Sequence, residues 1–369
     1  MVHILAVGSF TRLQLARLRL VSRAFRDAAS YPAFYSNRNV GNASELDIIP
    51  SFVADGIRRL QVLSSRHTVD LADLATLLPN LTYLYVPKAT NADRLPVSLS
   101  TLNLVAGKDH GADTLSRLTN LECLELHQLS TVPRFEFHPQ LRRLPVRRVN
   151  ADPLDLVSAL AASDAAVAGT LEALFVQWPV SGGWWEPLAD LANLREFGLS
   201  DFNTDPAAAD DAGALAAVLA AHPSLAVLHL AVTSVVATEV VRRGLPSTLR
   251  VFHLSTRLVA FETLVPVLPP DLTALSFDNG ASRVADEVRA LLARCAHLRA
   301  LNCACRSDAA EVLSRVANRP MLLPVGPGID ASLWGALENA GHSFGVLDIE
   351  VHWCIAGGVM LNGKAVEWS

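Results

Sequence analysis

Apolar positions along the chain recur in one arrangement: a leucine, two other residues, a second leucine or phenylalanine, one residue, then another apolar side chain. Copies read LTYLYV from Leu81, LSTLNL from Leu99, LECLEL from Leu121, LRRLPV from Leu141 and LEALFV from Leu171. They continue as LREFGL from Leu194, LAVLHL from Leu225, LRVFHL from Leu249, LTALSF from Leu272, LRALNC from Leu298 and FGVLDI from Phe344. Weaker copies begin at Ile57 (IRRLQV) and Pro320 (PMLLPV), and most copies start 18 to 31 residues after the one before. The last two apolar positions are two residues apart, the period of a strand, so they point to one side and their neighbours to the other. Intervening segments often carry helical spacing, as in PAAADDAGALAAVLAAHPSL and ADEVRALLARCAHL. Short strands alternating with helices through right-handed connections predict a parallel sheet. One such unit cannot cover its own apolar side, so the units must stack into a continuous core.

Over about residues 57 to 352 this pattern resembles the leucine-rich repeat family, whose period it approaches. The spacing is uneven, and the family's asparagine after the strand is mostly missing. The resemblance implies an α/β fold: a right-handed leucine-rich repeat solenoid, or horseshoe, with a parallel sheet on its concave face and helices outside. It also implies an interaction scaffold that contacts a partner through exposed strand side chains. The third, fifth and seventh positions of each copy are expected on the open side. They supply the candidate partner-binding residues Tyr83, Tyr85, Glu125, His127, Arg143, Arg147, Phe175, His229 and His253, with Gln177, Asp278, Asp348 and Glu350 on the same rows. Basic side chains gather early on this face (Arg59, Arg143, Arg147, Arg148) and acidic ones late, a polarity that a partner could read. Leu84, Val86, Leu124, Leu126, Leu228, Leu230, Leu275 and Phe277 are expected to be buried, while Tyr83, Glu125, His229 and Ser276 face outward.

Composition narrows this picture. The chain has 369 residues, 51% hydrophobic and 18% charged, which is enough apolar material for a large core. No apolar stretch reaches the length of a membrane span. Net charge is −5 and the pI near 6.1, which gives no general case for nucleic-acid binding. The five cysteines follow no disulfide framework, so a reducing cytoplasmic or nuclear setting is expected.

Chemical motifs are sparse. Gly107-Lys108 lacks a preceding glycine-rich loop, and neither G-x-S-x-G nor H-E-x-x-H occurs. Cys295, His297, Cys303 and Cys305 lie close enough in sequence to raise a zinc site, but Cys303 falls on a core position of its repeat, which favours structural cysteines. His229 and His253 occupy the same position of successive repeats and should stand side by side; no third ligand accompanies them. No cofactor, metal or catalytic residue is expected. Trp184 and Trp185, in the SGGWWEP loop, could contact a partner at a rim or pack beneath the following helix.

The N-terminus reads differently. RLQLARLRLVSRAFRDAASYPAFY, residues 12 to 35, holds five arginines before its first acid, Asp27. On a helix, Leu15, Leu18, Val21, Ser22, Phe25 and Ala29 share one side, and Leu13, Leu20 and Ala24 form a second apolar strip. Two strips suit a helix wedged between protein surfaces; an amphipathic, arginine-rich presequence is the alternative. The order of residues resembles an F-box from Phe10 to Tyr35, with Phe10 at the end of a first helix and Leu15, Leu18, Leu20, Val21, Ser22, Arg23, Phe25 and Arg26 on its core. Tyr31-Pro32-Ala33-Phe34 matches the closing segment, while the family's opening Leu-Pro and acidic first helix are not found in MVHILAVGSF. The resemblance implies a substrate receptor of an SCF-type, cullin-based ubiquitin ligase. In it Phe10, Leu15, Leu18, Val21, Ser22 and Phe25 would meet a Skp-family adaptor while the repeats hold a protein substrate. The expected organisation is an F-box-like helical segment over 1–40 and a repeat domain over 41–369. That domain would end in a hairpin cap, with Asn362-Gly363 as the turn between Val359–Leu361 and Lys364–Glu367.

Overall fold

The computed structural model describes residues 37–40, 57–62, 69–71, 74–91, 94–106, 115, 117–127, 138–147, 152–162, 166–178, 182–201, 208–256, 259–278, 288–303, 322–324, 343–345, 359–361 and 364–366. The chain divides into two compact units: Met1–Leu144 with Arg148–Ala151 and Ser163–Thr170, and Pro145–Arg147 with Asp152–Ala162 and Leu171–Ser369.

Strands begin where the repeats place them. The first unit holds β1 (Asn37–Val40), β2 (Arg59–Val62), β3 (Val69–Asp70), β4 (Tyr83–Thr90), β5 (Thr101–Ala106), β6 (Cys123–His127) and the first two residues of β7 (Arg143–Arg147). Its order is β1-β2-β4-β5-β6, with β3 beside β4. The second holds β8 (Ala173–Gln177), β9 (Glu196–Asp201), β10 (Val227–Val232), β11 (Val251–Ser255), β12 (Ala274–Asp278), β13 (Ala300–Cys303), β14 (Leu322–Pro324) and β15 (Ser343–Gly345), in that order. From β2 to β14, β3 aside, each strand starts two residues after the leading residue of its sequence copy.

The register shows no slip. Leu84 stands opposite Leu102, and Leu102 opposite Leu124. Leu174, Phe197, Leu228, Phe252, Leu275 and Leu301 form a continuous row in the second unit. Equal positions of successive repeats therefore lie side by side, which only a repeat with a fixed strand frame produces. This is a leucine-rich repeat solenoid. The leading, fourth and sixth positions make the core: Leu84, Val86, Leu124, Leu126, Leu228, Leu230, Leu275 and Phe277 are all buried, as the pattern requires.

Two ladders hold the stack together. In the first, the carbonyl at the second repeat position accepts two backbone N–H groups from the next repeat. Thr82 and Tyr83 donate to Arg58 at 2.8 and 3.0 Å, and Ala226 and Val227 to Arg195 at 2.8 and 2.9 Å. The second uses the hydroxyl just before the leading leucine, which reaches the leading leucine's carbonyl in the repeat before. Ser98 donates to Leu81 at 2.7 Å, Thr170 to Leu141 at 2.9 Å, Ser224 to Leu194 at 2.9 Å and Thr248 to Leu225 at 2.7 Å.

Spacers carry the helices: α1 (Leu74–Leu77), α2 (Pro153–Ala161), α3 (Ala208–Ala221), α4 (Ser234–Arg243), α5 (Phe261–Leu264) and α6 (Val288–Arg294). α2 starts as its sequence dictates: the Asp152 side chain accepts from Leu154 N at 2.9 Å, Pro153 takes the first turn, and Leu156, Val157 and Leu160 are buried. α4 stops at Gly244, whose φ of +94° suits glycine, with Arg242 and Arg243 in the last turn favouring the helix dipole. Among the described residues, no helix is long and apolar enough to cross a membrane.

One placement differs from the sequence reading, while the expected C-terminal hairpin pairs as read. β15 lies at Ser343–Gly345, and Phe344 pairs with Leu323, so the last copy starts three residues earlier than FGVLDI suggests. Phe344 thus stands at the fourth position of that copy in the backbone register, where the sequence reading had it leading. Val359–Leu361 and Lys364–Val366, here β16 and β17, pair antiparallel, with Leu361 opposite Lys364.

Candidate functional site

The face opposite the leucine core carries the odd-numbered repeat positions, and each unit arranges them differently. In the first unit the third-position row runs Arg59, Tyr83, Thr101, Cys123 and the fifth-position row Gln61, Tyr85, Asn103, Glu125. Strands about 4.8 Å apart force these side chains shoulder to shoulder. The Arg59 guanidinium lies 4.3 Å over the Tyr83 ring, Gln61 Nε2 donates to Tyr83 Oη at 3.4 Å, and Asn103 Nδ2 donates to Glu125 Oε2. Packing at this density corrects the expectation of a solvated face. Tyr83 and Glu125 are buried on the open side, 7% and 1% exposed, covered by their own neighbours. Burial raises the Tyr83 hydroxyl, with the Gln61 hydrogen bond and Arg59 opposing, and pushes the Cys123 thiol up to about 12, helped by Glu125. Burial thus favours the thiol form of Cys123. On these rows Arg59 is exposed, and Gln61, Tyr85, Thr101 and, on the next strand, Arg143 are half-buried.

In the second unit the fifth-position row runs Phe175, Gly198, His229, His253 and Ser276. Gly198 leaves a gap in the row, and the Phe175 and His229 rings meet across it at 5.9 Å. His229 in turn packs against His253 at 6.0 Å, and its Nε2 lies 3.6 Å from Glu196 Oε1. The two histidines stand side by side as their spacing requires, but they are not two solvated residues. His253 is buried, its ring held neutral: burial first, and His229 second, bring it down to about 3. Ser276 is buried as well, while Phe175, Gln177 and His229 stay half-exposed. The backbones of His127, Arg147 and Asp278 end their strands. Asp348 and Glu350, and Phe10, Leu15, Leu18, Val21, Ser22 and Phe25 of the F-box-like segment, lie outside the described residues.

Among the described residues no group of three histidines, cysteines or acids could hold a metal ion. Cys295 and His297 do not converge: Cys295 is buried and His297 exposed. Cys295 instead joins a structural row that sequence reasoning missed. It sits three residues before its leading leucine and donates to the Pro269 carbonyl of the preceding repeat at 3.4 Å. His138 takes the same place, its Nδ1 3.3 Å from the Leu118 carbonyl, and so does His222, buried and accepting from the Ser224 N–H on Nδ1 at 3.5 Å. The clue was the shared offset of a histidine or cysteine from the leucine. Trp184 and Trp185 are buried too, Trp184 standing edge-to-face with Trp178 at 5.1 Å and with Trp185 at 5.7 Å, so they pack inside rather than at a rim.

No protein-family model matches the chain, and no curated protein matches it. Solved structures do. The chain is similar to an internalin of Listeria monocytogenes at 14% identity and a TM-score of 0.38, covering 71% of this chain and 73% of that one. A second Listeria internalin, C2, shows 20% identity and a TM-score of 0.34 over 56% and 84%. The Drosophila Toll–Spatzle complex shows 15% identity and a TM-score of 0.42, over 78% of this chain and 45% of the other. The strand register above, rather than these likenesses, identifies the fold.

Proposed function

We propose that this chain is a non-catalytic protein-interaction module. In this reading a protein partner is held on the open sheet face, and the F-box-like segment docks a Skp-family adaptor to bring that partner to a cullin-based ubiquitin ligase. The observation that carries the interaction role is the open face itself. A rigid, in-register layer of buried polar contacts presents a few accessible aromatic and charged groups: Arg59, Tyr85 and Arg143 in one unit, Phe175, Gln177 and His229 in the other. Aromatic and arginine side chains on an immobile base lose little entropy on binding and carry most interface energy. The adaptor role rests on the residue order from Phe10 to Tyr35 alone.

Co-purification tests both parts. Unmutated protein is expected to bring down a Skp-family adaptor, and Leu18→Asp with Phe25→Asp to lose it, since a charge in a buried apolar contact has no partner. Arg59→Glu with Tyr85→Ala should weaken substrate capture while leaving the adaptor bound. If the unmutated chain binds no adaptor, the ligase role fails and the interaction module stands alone. One observation favours that second reading: β1, which starts two residues after Tyr35, already pairs in parallel with β2.

A further inference from the structure

Imidazoles of the second unit gather at one place. Among its described residues the histidines are His222, His229, His253 and His297. The first three fall within two consecutive repeats: in the segment before β10, on β10 and on β11. His222 and His253 are buried and His229 is half-buried, whereas His297 is exposed. The strands on either side place Phe175, Gly198 and Ser276 in the row of His229 and His253, and none of these carries charge.

Geometry makes a proton costly here. His229 and His253 are register partners with ring centroids 6.0 Å apart, so two charged rings would repel. Nδ1 of each ring is buried without a hydrogen-bond partner. A neutral ring with its proton on Nε2 tolerates that, but a charged ring adds an N–H at Nδ1 with nothing to donate to. Among the described residues, β9 turns Glu196 towards His229 at 3.6 Å, β8 brings the uncharged Phe175, and β12 sets Ser276 beside His253. His253 therefore has an imidazole, not an acid, as its titratable neighbour. His222 lies next to the backbone of Leu188 and Leu191, and the acids of that segment, Glu186 and Asp190, are exposed. Burial lowers His222, and burial first and His229 second bring His253 down to about 3.

We propose that β10 and β11 form an acid-sensitive joint: as pH falls this strand pair opens locally, because the open form accepts protons that the closed row refuses. An unfolded histidine titrates near 6.5, so the joint is closed above about pH 6.5 and opens progressively below it. Each strand of the stack bonds only to those beside it, so an opening centred on one pair leaves the more distant strands in place. Release of a partner follows if the open face binds one, as proposed above. Opening breaks the Phe175–His229 contact across Gly198, and a partner seated there loses its footing.

Hydrogen exchange of the full chain, corrected for the pH dependence of intrinsic exchange, tests this with no partner present. Its result is therefore separate from that of the co-purification above. From pH 5 to pH 4, opening at the amides of β10 and β11 is expected to rise about tenfold for each ring that refuses a proton, with far smaller changes in β8 and β13. His253→Gln should remove about tenfold from that rise, while His138→Gln, in the first unit, leaves it unchanged. Exchange that rises equally from β8 to β13 overturns the proposal, as does a rise centred on other strands. It is also overturned if His253→Gln, folded at pH 7, keeps the full rise. Should that variant not fold at pH 7, His222→Gln supplies the same comparison, and the profile of the unmutated chain decides alone whether the opening is local.

Discussion

His253 and Leu228 are near neighbours on adjacent strands, yet they test opposite faces of one sheet. Leu228 is fully buried in the stacked core, and truncation to alanine is expected to cost roughly 2–5 kcal/mol in chemical denaturation, through lost burial and the cavity left behind. His253 acts through pH instead. An unfolded histidine titrates near 6.5, whereas the folded side chain is held down to about 3. Between those values the unfolded chain binds a proton that the folded chain refuses, so stability rises with pH across the interval. Stability is therefore intact above about pH 6.5 and is lost as pH falls towards 3. His138 and His222, lowered chiefly by burial, pull the same way. The urea midpoint should drop between pH 7 and 4.5, and His253→Gln should flatten that slope. An unflattened slope would mean that His253 takes up its proton within the fold at no cost.

Single elements show where sequence sufficed and where it stopped. Strand starts from Ile57 through Leu298 were legible because a period-two apolar pair on a repeating lead leaves one frame that buries every leucine. The open face was legible only in parity. Alternation says that Tyr83, Glu125 and His253 point away from the core, but not that strand spacing packs them until they too are buried. Nor could alternation predict contacts between repeats, such as the Phe175–His229 contact across Gly198. The hydroxyl ladder was hidden because serine and threonine before a leucine look like ordinary turn residues. It is testable at Thr248, whose Oγ1 is 2.7 Å from the Leu225 carbonyl. Thr248→Val keeps the shape and removes the donor, so it should cost about 1 kcal/mol, measured as a shift in denaturation midpoint. Thr263→Val, whose hydroxyl reaches only Ala260 three residues away, should leave the packing between repeats unaltered and serves as the comparison.

Across a whole unit, order passes from strand to adjacent strand, because each strand bonds only to those beside it. Damage should spread the same way. In hydrogen exchange, Leu228→Ala is expected to expose amides of β9, β10 and β11 most, with the effect fading towards β13; uniform loss from β8 to β13 would instead indicate one cooperative block. The slip-free register has a further consequence, for how such a chain can change over generations. Any cut at one repeat position joins smoothly to the same position elsewhere. Removing residues 225–248 would bring Phe252 beside Phe197 and His253 beside Gly198, with the doubled N–H pair of Arg250 and Val251 finding the Arg195 carbonyl in place of Ala226. Whole repeats can thus be gained or lost by unequal recombination without rewriting the remainder. The spacers between the strands, already 18 to 31 residues from one copy to the next, are free to lengthen into new contacts while the ladder keeps its frame.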